Sequence, residues 1–180
     1  MKIRDFNRGW EFHSDKSAEV QIVNLPHDAM LMENRDKSNP SGGACAYFDG
    51  GKYSYKKKFN HDEENKNVIM YCEGIYQNSK ILLNGEMIDE RPYGYAAYYI
   101  SLSEHLHSGE IEIIADNADT PNTRYYSGAG IYRNISLFTA GESYILPDGV
   151  RISTISNDAV NIKTEMHGTG SVHVSVYEDD

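Results

Sequence analysis

Several things are scarce in this chain, and each scarcity excludes something. Among 180 residues there are two cysteines, Cys45 in a glycine-rich stretch and Cys72 in an apolar one. Their spacing fits neither a zinc nor a redox motif, so no disulfide and no metal site is expected. No apolar run approaches the roughly 20 residues that cross a bilayer, and the polar start from Met1 to Trp10 holds no signal-peptide core. A cytoplasmic protein without a membrane partner is expected. Basic excess is lacking too: Lys and Arg number 17 against 27 Asp and Glu, for a formal charge of −10. The one dense basic cluster, Lys56, Lys57 and Lys58, falls inside an alternating pattern, so nucleic acid is not an expected partner.

Helical periodicity is also nearly missing, and what replaces it has period two. Tyr53, Tyr55, Lys57 and Phe59 share one face of an extended segment, as do Val68, Met70 and Cys72. Ile111 and Ile113 alternate with Glu110 and Glu112, and a strand is expected over 131–138 with Ile135 and Leu137 on one side. Asn84-Gly85 stands between Lys80-Ile81-Leu82-Leu83 and Glu86-Met87-Ile88. That dipeptide tolerates two positive φ angles, which predicts a hairpin. One helical turn is expected between Ser101 and Ser108, capped by Ser103. Many short strands separated by Gly, Pro and Asn turns predict an all-β sandwich or barrel. Two long loops interrupt it, 26–51 and 117–130, and loops of that length are more often functional than not.

Beyond Ala140 a meander is expected: Val150 to Ser156, Ala159 to Met166 and Ser171 to Glu178. Three strands with one apolar face cannot close a sandwich. The organisation expected is therefore a complete domain over 1–140 and an incomplete one over 141–180, with the chain stopping inside the second.

Few residues carry chemistry. His27-Asp28 sets an imidazole beside a carboxylate, but neighbours in extended backbone point to opposite sides, and no Gly-x-Ser-x-Gly elbow is present. His27 is read as structural; Asp28 is either a loop cap or a ligand. His105 and His107 lack the three or four residue spacing of helical metal ligands. The Asn134-Ile135-Ser136 triplet fits a glycosylation sequon but lies in an expected strand. No lone Glu in an apolar frame suits a glycosidase acid or nucleophile, so no catalytic residue is expected. Tyrosine is abundant instead, with 14 copies. Tyr93, Tyr95, Tyr98, Tyr99, Tyr125 and Tyr126 include rings that can stack on sugars and others that pack.

In order along the chain, a start through Arg4 and Phe6, Gly9-Trp10-x-Phe12, Leu25-Pro26-His27-Asp28, Asn39-Pro40-Ser41-Gly42-Gly43 and Tyr55 to Phe59 are followed by further motifs. These are Gly74-Ile75-Tyr76-Gln77-Asn78-Ser79, Leu83-Asn84-Gly85, Pro92-Tyr93-Gly94-Tyr95 and Tyr125 to Arg133. Together they resemble the N-terminal sugar-binding domain of glycoside hydrolase family 2, which holds β-galactosidases, β-glucuronidases and β-mannosidases. The resemblance implies a galactose-binding-domain-like jelly-roll β-sandwich over 1–140, then the first strands of an immunoglobulin-like β-sandwich.

It also implies a retaining exo-β-glycosidase, β-galactosidase-like, whose catalytic glutamates lie on a (β/α)8 barrel of the same chain that is not in this sequence. The isolated chain is then expected to be inactive, and no cofactor is implied. Asn39 matches an asparagine that reaches the sugar in β-galactosidases, and Asp28 matches the aspartate of the Pro-His-Asp loop. Asn134 stands where the family commonly has aspartate; an amide can bond a hydroxyl but lacks the charge to hold sodium. The substrate-binding candidates are thus Asp28, Asn39, Asn134, Tyr125 and Tyr126, and Arg133 is expected to form an internal ion pair. The expected partner is a β-linked galactoside or related glycoside. Two other readings stay open: a stand-alone carbohydrate-binding module, and a structural domain that assembles a homo-oligomer.

Overall fold

Among the described residues, twelve strands arise from the period-two pattern. They are β1 (Lys2–Asp5), β2 (Trp10–Ser14), β3 (Val20–Val23), β4 (Lys52–Phe59), β5 (Asn67–Cys72), β6 (Ser79–Leu83), β7 (Glu86–Arg91), β8 (Tyr98–Ser101), β9 (Gly109–Asp116), β10 (Ile135–Ala140), β11 (Tyr144–Ser156) and β12 (Ala159–His167). The computed structural model describes residues 1–60, 67–103, 109–119 and 127–177. Two sheets face each other, one of four strands in the order β1-β10-β5-β8 and one of six in the order β3-β2-β4-β9-β6-β7. Every strand pair in them is antiparallel. This is the all-β sandwich expected from the sequence, and two 3-10 turns, Ala29–Met32 and Gly42–Cys45, lie in the long loop before β4.

Alternation decides what goes inside. On β4 and β9 the facing set Tyr53, Tyr55, Phe59, Ile111, Ile113 and Ala115 is buried, with Tyr55 opposite Ile113 in register. From the other sheet Val68, Met70, Cys72, Ile135 and Leu137 complete the same core. The opposite face of the larger sheet is polar: Ser54 donates to Glu112 at 2.6 Å, and Lys56 reaches Glu112 at 3.5 Å. Lys57 takes the inward phase of the basic cluster. Its ammonium donates to the carbonyls of Phe6 at 3.0 Å and Arg8 at 2.5 Å and sits 4.1 Å from the Phe6 ring centroid. Burial pushes its pKa down, while its apolar stem lies along the core edge.

The Asn84-Gly85 hairpin forms as expected, with φ of 52° and 84° at the two positions. Other expectations are corrected. β10 starts at Ile135 and not at 131, because Gly130 has φ 94° and its backbone pairs instead with Tyr76 in an isolated bridge. The third meander strand does not form over 171–177: Val172, Val174 and Val176 alternate in sequence, yet among the described residues this segment pairs with no neighbour and stays exposed. A strand needs a partner ladder for its backbone, and alternation alone does not supply one. The ribbon of β11 and β12 touches the sandwich where Tyr99 donates to Asp148 at 2.7 Å. There the outer face of the smaller sheet carries Tyr71 stacked on Tyr99, ring centroids 4.5 Å apart. The turn expected between Ser101 and Ser108 falls largely outside the described residues.

Candidate functional site

The first long loop leaves β3, crosses the end of the core and turns at His27-Asp28. Asp28 is extended, φ −101° and ψ 106°, and caps the turn Ala29–Met32 by accepting from the Met30 amide. The same carboxylate oxygen accepts from the Ala129 amide at 3.0 Å. Gly128 packs beside it with φ 66°, where an added Cβ would lie 2.9 Å from the second oxygen. Asp28 therefore ties the two long loops together, and a cap of this kind contributes about 1 kcal/mol.

His27 faces the other way, as adjacency in extended backbone demands. Its Nδ1 lies 2.9 Å from the Tyr55 hydroxyl, and its ring meets Phe12 edge-on at 4.7 Å. Burial lowers the His27 pKa, partly opposed by the Asp28 charge. Burial likewise raises the Tyr55 phenol far above its ordinary value. The pair is a neutral imidazole beside a neutral phenol, which is a packing arrangement and not an activated nucleophile.

The segment 127–131 is held on both flanks. The His27 amide donates to Ile131 at 2.8 Å and Ala29 to Ala129 at 2.9 Å, while Tyr76 and Gly130 exchange two bonds of 2.9 Å. A Cβ on Gly130 would come within 2.2 Å of the Tyr55 hydroxyl, so only glycine allows this approach. Asn117 supplies a staple that sequence reasoning missed. It is 2% exposed, donates to the Gly128 carbonyl at 3.3 Å, and gives its backbone amide to Gly51 at 2.9 Å. The available signal was an amide directly after the alternating segment that became β9.

Asn39 is buried, and its side chain is committed to its own loop. The amide nitrogen donates to the Phe48 carbonyl at 2.9 Å and to Asp49. Its oxygen accepts from the Ser41 amide at 2.7 Å and from the Cys45 thiol at 3.5 Å. An amide has two donors and one oxygen with two lone pairs, so these four bonds use its whole capacity. For a sugar to reach Asn39, one of them has to open.

Asn134 is exposed just before β10 and donates to Glu73 at 3.3 Å. Arg133 is a correction: it is exposed, and among the described residues it forms no ion pair, its guanidinium lying 5.8 Å from the Tyr132 ring centroid. Tyr125, Tyr126, His105 and His107 lie outside the described residues. Cys45 and Cys72 are both free and buried. Among the described residues no group of three His, Cys, Asp or Glu is placed to hold a metal ion.

A groove of about 550 Å³ opens between β2 and the 29–36 segment, lined by residues that include Lys16, Gln21, Glu33, Arg35 and Tyr53. Glu33 accepts from Tyr53 at 2.5 Å and from Lys16 at 2.7 Å. Burial and the Glu33 carboxylate both raise the Tyr53 phenol, which keeps it a donor. The carboxylate is thus fixed by two donors and is not a free base.

The chain is 34% identical over 169 residues to β-galactosidase BoGH2A of Bacteroides ovatus, a match covering 86% of this chain and 20% of that protein. The fold is similar to that of a β-glycosidase from Bacteroides vulgatus, with TM-score 0.84, 25% identity, 94% of this chain and 25% of that one. A glycosyl hydrolase family 2 member from Bacteroides cellulosilyticus has the same fold with TM-score 0.79 at 23% identity, over 87% of this chain and 23% of that one. The chain spans about a fifth of the length of the curated relatives it matches. No family model matches it.

Proposed function

From a chain whose curated and structural neighbours are glycoside hydrolase family 2 enzymes, we propose that it is the non-catalytic N-terminal domain of such a glycosidase, of β-galactosidase type. The observation that carries this is the match to a β-galactosidase over 86% of the chain but 20% of that enzyme. In this reading the enzyme is a retaining exo-β-glycosidase, and its paired carboxylates, which such chemistry needs about 5 Å apart, sit on a catalytic barrel. The carboxylates described above serve internal bonds instead: Asp28 caps a loop and Glu33 holds Lys16 and Tyr53.

The domain's task is to present rigid loops to the substrate pocket. Asp28 and Asn39 act through the loops they fix, while Asn134 is exposed with its amide nitrogen donating to Glu73. Tyr125 and Tyr126, which precede the fixed 127–131 segment in sequence, complete the proposed contact to a β-galactoside. The test is hydrolysis of 4-nitrophenyl β-D-galactopyranoside by the 180-residue chain, set beside the full polypeptide encoded by its gene. The expected result is turnover by the full polypeptide alone. Turnover by the 180 residues, or no β-glycoside cleavage by the full polypeptide, overturns the proposal.

A further inference from the structure

Tyrosines gather where the connection from β7 to β8 meets the 74–78 and 130–133 segments. The Tyr95 ring lies 5.0 Å from Tyr76, 5.7 Å from Tyr93 and 6.5 Å from Tyr132, with planes crossing at 55°, 64° and 64°. Tyr76 is buried and forms the base, while Tyr93 is 65% and Tyr95 41% exposed. Ring area left in water forgoes hydrophobic burial, and two adjacent exposed rings leave that area within reach of a ligand.

Tyr132 and the backbone beneath the rings are also fixed in place. Tyr132 donates its hydroxyl to the Gly94 carbonyl at 2.8 Å. Gly94 lies so close to the base that a Cβ there would meet Tyr76 Cδ2 at 2.6 Å and the Ile75 carbonyl at 2.9 Å, and a Cβ on Gly74 would meet Tyr132 Cζ at 2.7 Å. Two glycines thereby let backbone press against the rings from both sides. A surface ordered before binding loses less entropy when a ligand arrives.

The rim chemistry points to a class of ligand. Arg133 lies over Tyr132 and is exposed. Exposed rings beside hydrogen-bonding groups match a pyranose, which has an apolar C–H face and a rim of hydroxyls. The net charge of −10 opposes a polyanion, which favours a neutral glycan.

We propose that Tyr95 stacks on the face of a hexopyranose unit of a neutral β-linked oligosaccharide while Tyr93, set at 64° to it, walls the edge, on a floor held by the Tyr132 to Gly94 bond and with Arg133 bonding the sugar hydroxyls. This deepens the carbohydrate reading above and rests on it. The test is a titration of the 180-residue chain with β-1,4-galactotetraose, following tyrosine ring signals by nuclear magnetic resonance, with the Trp10 indole signal as the control for folding. Saturable shifts at Tyr93 and Tyr95 are expected, and Tyr93→Ala and Tyr95→Ala should each weaken binding about fivefold. Tyr93→Phe keeps the ring and should retain affinity. Absence of saturable shifts up to about 20 mM overturns the site, as do shifts confined to Tyr53 in the Glu33 and Arg35 groove that the Tyr93 and Tyr95 substitutions leave unchanged. Either failure leaves the domain assignment standing, because that is read by hydrolysis in the full polypeptide.

Discussion

The sandwich and the β11–β12 ribbon share one sequence pattern and have opposite fates. In the sandwich, Ile111 and Ile113 alternate with glutamates and are 0% exposed. In the ribbon, Val150, Ile152 and Thr154 face Thr164, Ile162 and Val160 across the ladder, yet Ile152 is 67% and Val160 51% exposed. The ribbon's other face carries Arg151, Lys163 and Glu165, with Lys163 and Glu165 paired at 2.9 Å. Both elements are amphipathic, but among the described residues only the sandwich has a second sheet to cover the apolar side. Alternation sets which residues share a face; burial needs an opposing layer, and a lone two-stranded ribbon is marginal without one.

The largest expected effect tests this contrast directly. Ile113→Ala should cost about 2–5 kcal/mol in urea unfolding, because a cavity opens in a packed core. Ile152→Ala in the ribbon should stay within about 0.5 kcal/mol. Equal losses would mean that the ribbon's apolar face is covered in solution. Next comes the junction of the long loops. Gly130→Ala meets both the positive φ and the Tyr55 hydroxyl and should lose about 1–3 kcal/mol. It should also shift the His27 ring signals, which no ribbon substitution should move.

A smaller effect comes from pH. Burial lowers the His27 pKa, so the unfolded chain binds a proton that the folded chain disfavours. Stability is full above the ordinary histidine value of about 6.5 and falls as pH drops through it toward the depressed folded value. His27→Gln should flatten the part of the stability curve that wild type loses there, as measured by urea midpoints on both sides of that value. A wild-type curve parallel to that of His27→Gln would show that the site is hydrated. The smallest effect belongs to the polar face of the sandwich. Lys56→Ala breaks half-exposed pairs to Glu110 and Glu112 and should change stability by about 0–1 kcal/mol, less at high salt.

Much of the fold was legible because its signals are local. Asn84-Gly85 sets two positive φ angles with no help from elsewhere, and Tyr53, Tyr55 and Phe59 share a face by chain geometry alone. The opposite orientations of His27 and Asp28 followed from extended backbone, as did the capping option for Asp28. The ends of elements were less legible. Gly130 cuts β10 short because Tyr76 competes for its backbone, and Tyr76 is distant in sequence. Arg133 resembled an ion-pair residue, yet no carboxylate among the described residues approaches it.

The candidate site divides along the same line. Residue types and their order were enough to establish an all-β chain, its inward and outward faces, its hairpin, and the motifs shared with glycoside hydrolases. Only the tertiary structure decided that the amide of Asn39 is used up inside its own loop, that Asn117 staples two long loops, and that Tyr93, Tyr95 and Tyr132 meet on one surface. Those outcomes depend on contacts between segments far apart in the chain. Hydrogen-bond capacity and ring packing are settled by which atoms come within reach, and composition and spacing do not contain that information.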